Sequence, residues 1–180
     1  MDVRYNLLAT TDLLTLSKAT SELWMNLRAA GDENPSVNKA RIKGLILAYT
    51  NFDPVEAVHL LRARMEEQPD RFNAVFRVMP IQKWVKTDIE TIVAEVNEQK
   101  TRIQEDETFR ITLEKRRTQL RSLEVIEPVA EAVDRPVKLV EPDWVILINI
   151  LGTETGVSIV KPGDLLNVQK EKYALSVKGH

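Results

Sequence analysis

Hydrophobic and polar positions alternate along this chain in two rhythms. Near the N-terminus, Tyr5 to Thr10 is a short apolar run and predicts a strand. Asp12 can cap a helix just after it. Leu16, Thr20, Leu23, Trp24 and Leu27 then recur at helical spacing, and Gly31 is placed to end that helix. Asp32-Glu33-Asn34-Pro35 is a polar loop, and Val37 marks a weak strand. Leu45 to Thr50 predicts a buried strand. Asp53-Pro54-Val55-Glu56 is a helix start: Asp53 at the N-cap, Pro54 at the first helical position, and Glu56 where its carboxylate can reach back to the cap amide. That helix runs to about Gln68, where Pro69 stops it. Ala74 to Met79 predicts a further strand, ended by Pro80.

The order strand, helix, strand, strand, helix, strand is the βαββαβ of a ferredoxin-like unit. Beyond it, Pro80 to Thr87 is read as a connector carrying Lys83, Trp84 and Lys86. Thr87 with Glu90 forms a capping box for a helix whose apolar face is Ile89, Ile92, Val93 and Val96. From Glu107 the period changes to two, with Phe109, Ile111 and Leu113 on one face and Arg110, Thr112 and Glu114 on the other. Ser122 to about Val133 is helical, with Pro128 expected to kink it. Trp144 to Leu151 is a buried strand, Gly152 to Gly156 a hairpin turn, and Val157 to Val160 the returning strand. The chain therefore predicts an α+β protein. Its expected divisions are 1–80, 81–170 and a flexible tail, 171–180.

Composition removes several classes. The 180 residues are 43% hydrophobic, too apolar for a disordered chain. There are no cysteines, so no disulfide scaffold, thiolate metal site or cysteine nucleophile exists, and cytoplasm is the expected location. No apolar run approaches the roughly 20 residues of a membrane span, and no signal peptide is visible. Two histidines, His59 and the terminal His180, give no support to a Ser-His-Asp arrangement or to zinc. The six glycines form neither a P-loop nor a dinucleotide fingerprint. The acid clusters Asp32-Glu33 and Glu105-Asp106-Glu107 read as loops at element ends. No catalytic residue and no metal ligand is assigned.

Charge is close to balanced, with 25 Lys and Arg against 27 Asp and Glu. One window departs from that balance. Arg110, Lys115, Arg116, Arg117 and Arg121 face a single acid, Glu114, within residues 110–121. Arg121 and Ser122 also precede a helix N-terminus, whose free amides favour a phosphate. Lys83-Trp84-Val85-Lys86 places an aromatic between cations, a pattern suited to stacking a base and holding flanking phosphates. Both segments also fit an ordinary reading: a solvated charged face and a packed tryptophan.

The run Glu107 to Arg117 is followed by Ser122-Leu123-Glu124-Val125-Ile126, Val129 to Val133, Val145 to Leu151 and Gly156 to Ile159. Together they resemble a THUMP domain. Tyr5 to Thr11, Ser21-Glu22-Leu23-Trp24, Gly44-Leu45-Ile46 and Phe76 to Pro80 resemble the ferredoxin-like unit that precedes it in the stand-alone THUMP proteins assisting tRNA cytidine acetylation. The resemblance implies an N-terminal ferredoxin-like unit followed by an α/β THUMP domain that binds tRNA at its acceptor stem and 3′ end. It implies a non-catalytic adaptor, ending where other members carry an enzyme domain, with an RNA cytidine acetyltransferase as partner. Acetyl-CoA and ATP would be that partner's cofactors, none being this chain's own. Arg110 and Lys115-Arg116-Arg117 match the family's basic strand end, and Lys83 and Lys86 match less closely. The other reading, from the acidic net charge of -2 and two compact α+β units, is a protein-interaction or structural module without RNA affinity.

Overall fold

The computed structural model describes residues 5–179. These fall into two units, one built from the chain up to Pro80 together with Gly163 onward, the other from Ile81–Pro162. The fold is α+β in both.

The first unit carries β1 (Leu7–Thr10), α1 (Leu16–Ala29), β2 (Ser36–Lys39), β3 (Leu45–Tyr49), α2 (Pro54–Glu67) and β4 (Arg77–Pro80). Every strand pairing is antiparallel, in the order β2-β3-β1-β4. This is the expected βαββαβ unit, the weak strand at Val37 included. Ala19, Leu23 and Leu27 of α1 and Ala57, Val58, Leu61 and Met65 of α2 pack against Leu7, Ala9, Ile46 and Ala48 of the sheet. Burying these side chains is the main source of this unit's stability, at about 1.5–3 kcal/mol for each large one.

Local signals act much as the pattern suggests. Asp53 Oδ1 accepts from the amides of Val55 (2.9 Å) and Glu56 (3.2 Å), opening α2. Asp12 caps a single 3-10 turn, Leu13–Thr15, ahead of α1. Gly31 follows α1 with φ +115°, and the Phe52 ring lies 3.5 Å from where its Cβ would stand. The strand expected from Ala74 starts only at Arg77 and includes Pro80, because Pro80 lies opposite Leu7 at the end of the pairing.

The second unit carries β5 (Lys83–Lys86), α3 (Ile89–Gln99), β6 (Phe109–Arg116), α4 (Ser122–Val133), β7 (Trp144–Leu151) and β8 (Glu154–Val160). Its sheet has the order β5-β8-β7-β6, with β6 and β7 parallel and joined through α4. Ile92 and Val96 of α3 and Val125, Val129 and Val133 of α4 cover Phe109, Ile146, Ile148, Ile150, Val157 and Ile159.

Three expectations are corrected here. The connector around Lys83 is a strand, β5, held by pairing with β8. The cap of α3 is Asp88 rather than Thr87: its carboxylate accepts from the Thr91 amide (3.1 Å) and hydroxyl (2.9 Å). The turn after β7 is two residues, Gly152 and Thr153, with Gly152 at φ +62°, so β8 begins at Glu154 and Gly156 lies inside it.

The C-terminal segment also differs from the expected tail. Residues 163–170 belong with the first unit, where β9 (Leu166–Asn167) adds to β4 and α5 (Val168–Lys178) follows.

Candidate nucleic-acid interface

In the second unit, β5, β6 and β7 run in one direction, so their C-terminal ends meet along one edge of the sheet. The first turn of α3, the loop from β6 to α4 and the two-residue turn after β7 gather at that same edge. Between them lies an open groove of about 730 Å3, lined by Lys86, Thr87, Asp88 and Glu90 on one side and Thr118, Leu120, Gly152 and Thr153 on the other. Ligands in open α/β sheets commonly bind outside the carboxyl ends of parallel strands.

The expected site residues divide around this edge. Lys86, Glu154, Leu151 and Arg116 form one row across the four strands and share a face of the sheet. Lys115 projects to the opposite face and donates from Nζ to the Leu120 carbonyl oxygen at 3.1 Å. Arg116 pairs through Nη2 with Glu114 Oε2 at 3.0 Å, and its carbonyl oxygen accepts from the Gly152 amide at 2.9 Å. Arg117 is exposed and sits at φ +57°, a left-handed position that turns the chain off the strand. Arg121 is the N-cap of α4. Its side chain is 84% exposed and its Nε donates to Glu124 Oε1 at 2.6 Å.

The other three lie elsewhere. Arg110 stands six residues before Arg116, about 20 Å along the strand, and donates to the Leu139 carbonyl oxygen at 3.0 Å. It belongs to the far end of β6, so the charged window is not one patch. Lys83 lies in the row with Val157, Ile148 and Leu113, on the helix-covered side. Trp84 is half-buried opposite Gly156, on the face that carries Glu114.

Two acids near the edge are held by their neighbours. The Arg121 hydrogen bond holds Glu124 below the ordinary carboxylate range. The Thr91 hydroxyl and amide, with Lys86 nearby, do the same for Asp88. The edge carries four cations, Lys86, Lys115, Arg116 and Arg117, alongside the acids Glu90 and Glu154, two hydroxyls, Thr118 and Thr153, and the N-terminus of α4. The arrangement suits an anionic, extended ligand. Sequence reading missed Thr118, the residue next to Arg117, and also Gly152 and Thr153, whose place at the edge follows from strand pairing. Among the described residues no group of three or more His, Asp or Glu is placed to hold a metal, and no helix is long and apolar enough to cross a membrane.

Fold and edge together define an α/β module with basic residues at its strand ends, and comparison with known proteins identifies the domain. The THUMP domain model matches residues 86–160, so the second unit carries a THUMP domain. The crystal structure of PH1313 from Pyrococcus horikoshii Ot3 has a similar fold, with a TM-score of 0.61 at 17% identity over 87% of this chain and 55% of that one. TrmN from Thermus thermophilus gives 0.54 at 19% identity over 85% of this chain and 44% of that one. The chain thus spans about half the length of these two structures. No curated protein matches it.

Proposed function

We propose that this chain is an RNA-binding adaptor. It holds tRNA by the acceptor stem and 3′ end and presents it to a partner RNA cytidine acetyltransferase, which brings the acetyl-CoA and ATP. It is not itself an enzyme and works in the cytoplasm. The observation that carries RNA binding is the strand-end edge of a THUMP domain, where Lys115, Arg116 and Arg117 close β6 and Lys86 closes β5 beside an open groove. The partner and the acetylation chemistry come from the family resemblance.

Recognition at such an edge needs no base code. Phosphates, helix shape and the stacking of unpaired bases are enough, which lets one domain serve many tRNAs. Arg116 and Arg121 already have carboxylate partners, so RNA must compete with Glu114 and Glu124. At Arg121 the competition is mild, since exposed pairs contribute about 0–1 kcal/mol.

The test is a salt titration with three RNAs: a full tRNA, an acceptor-stem minihelix, and that minihelix without its 3′ tail. Expected is binding to the first two, loss without the tail, and a log–log slope near 0.7–0.9 per phosphate contact. The Arg116→Glu/Arg117→Glu variant should lose at least tenfold in affinity while keeping its circular dichroism spectrum. A folded variant that binds as tightly as wild type removes this edge as the site. Absence of binding to all three RNAs at low salt removes RNA binding itself and leaves the protein-interaction reading.

A further inference from the structure

The first unit has a groove of its own, about 800 Å3, between α1 and the turn Pro69–Arg71. Trp24 and Met25 line its α1 wall and are 44% and 52% exposed. The Arg28 guanidinium lies over the Trp24 ring, 5.4 Å from its centroid. Arg28 also donates to the Glu33 carbonyl oxygen, so the stacked pair is anchored to the loop after α1.

Asn26, 2% exposed, builds the floor. Its Nδ2 donates to the carbonyl oxygens of Arg71 (3.0 Å) and Glu22 (2.9 Å), and its Oδ1 accepts from Arg64 Nε at 2.6 Å. One buried amide therefore fixes the helix, Arg64 and the turn that carries Arg71 relative to one another. Four cations line the groove, Lys18, Arg28, Arg64 and Arg71, against two acids, Glu22 and Asp70. Glu22 is spent: its carboxylate accepts from the amides of Asn73 (2.7 Å), Ala74 (3.0 Å) and Val75 (2.7 Å). The groove is thus a cationic cradle around an exposed indole.

We propose that this groove is a stacking subsite for an unpaired base of bound RNA, with Trp24 under the base and Lys18, Arg64 and Arg71 on the flanking phosphates. The proposal rests on the RNA-binding reading and extends it to the first unit. A nucleic acid fits better than a protein surface because one nucleotide brings both a flat ring for the indole and an anion for a guanidinium fork. A protein partner would have to align separate carboxylates with Lys18, Arg64 and Arg71 and desolvate each pair.

The probes are a labelled ten-nucleotide oligouridylate and an abasic strand of the same length, bound to the full chain at low salt and followed by fluorescence anisotropy. Wild type should prefer the base-bearing strand. Trp24→Ala should weaken that strand's binding roughly five- to a hundredfold, the range for losing one stacked base, and leave the abasic strand unaffected. Trp24→Phe should recover most of the loss. Arg71→Gln should lower the salt slope by about 0.7 for the lost single-strand contact. Trp24 is exposed, so the alanine variant should keep the wild-type circular dichroism spectrum. Equal binding of both strands by wild type, or no change in folded Trp24→Ala, overturns the proposal. If Arg116→Glu/Arg117→Glu still loses tRNA while Trp24→Ala does not, the subsite falls and the RNA reading stands. If wild type binds no RNA, both fall.

Discussion

At the scale of single residues, the edge of the second unit separates backbone from charge. Arg117 holds a left-handed backbone, φ +57°, that costs a non-glycine residue about 1–2 kcal/mol. Arg117→Gly should relieve that cost, offset in part by glycine's larger entropy loss on folding. Its melting temperature should match or slightly exceed wild type, while the salt slope for tRNA falls by nearly one. A variant that melts lower and binds normally would show that the side chain supports the turn rather than the ligand. Asp32 teaches the opposite lesson. Its place beside Glu33 in the sequence suggests a loop acid, yet it is 2% exposed. It accepts from the Thr50 hydroxyl (2.7 Å) and from the amides of Asn51 (3.1 Å) and Asn34 (3.1 Å). Asp32→Ala should cost about 2–3 kcal/mol by urea denaturation, because it strands buried donors. Three carboxylates contribute to the acid limit. Glu124, held by Arg121, Asp88, held by Thr91, and Asp143, held by the Thr108 amide and hydroxyl, all titrate below their ordinary values of 4.5, 3.8 and 3.8. Their folded-state values are depressed, so their stabilisation is complete above the ordinary values and is lost as pH falls through the depressed ones. The melting temperature should be insensitive to these groups from pH 7 to 5 and should fall below about 4.5. Asp143→Asn should make that fall shallower.

At the scale of elements, what could be read ahead of the structure depended on whether a signal was local. The Asp53 cap, the alternation through Phe109, Ile111 and Leu113, and the apolar run Trp144–Leu151 each encode their element within a few residues, and each element forms where expected. Lys83–Lys86 encodes nothing by itself. It is a strand because β8 supplies its hydrogen bonds, and that partner lies some seventy residues away. The cationic edge was legible in part for the same reason. Lys115, Arg116, Arg117 and Thr118 are neighbours in sequence, but Lys86 and Thr153 reach them only through pairing. Arg110 shows the reverse error, a neighbour in sequence that the length of the strand carries away. Pro128 is a different case. Nothing local forbids it strongly enough, and α4 continues through it from Ser122–Val133 because Val125, Val129 and Val133 are all buried. The helix keeps its buried face and forgoes the hydrogen bond that residue 128 would otherwise give. Pro128→Ala should restore that bond and remove the ring's clash with the preceding turn, raising stability by about 1–3 kcal/mol. Thermal denaturation checks this, and an unchanged or lower melting temperature would mean that unfolded-state stiffening by proline outweighs the lost bond.

At the scale of the whole chain, the covalent order and the folded units do not coincide. The chain leaves the first unit at Pro80, builds the THUMP-bearing unit, and returns at Gly163. The return is secured from several sides. Leu166 and Val168 are each 1% exposed, β9 pairs with β4 opposite Arg77 and Val78, and Lys172 Nζ donates to the Phe72 carbonyl oxygen at 2.7 Å. Arg62 of α2 acts as the clasp: Nε donates to Glu171 Oε1 (2.6 Å), Nη1 to the Gly163 carbonyl oxygen (2.7 Å) and Nη2 to that of Leu165 (2.9 Å). His59 adds a contact to Asp164 at 2.7 Å. A polar C-terminal stretch thus completes a core that begins at residue 7, which no local pattern in the stretch reveals. Ending the chain after Pro162 should therefore damage the first unit and spare the second. Loss of Leu166 and Val168 alone removes about 3–6 kcal/mol of apolar burial, a large share of the stability of an ordinary domain. Hydrogen exchange on the truncated chain should show lost protection in β4 and α2, with β6, β7 and α4 still protected. Because the THUMP edge lies wholly within Ile81–Pro162, binding that depends on Arg116 and Arg117 should persist where the first unit has loosened, with affinity for the tailed minihelix lowered by loss of the Trp24 subsite. Uniform loss of protection across both units would instead make the two folding events one.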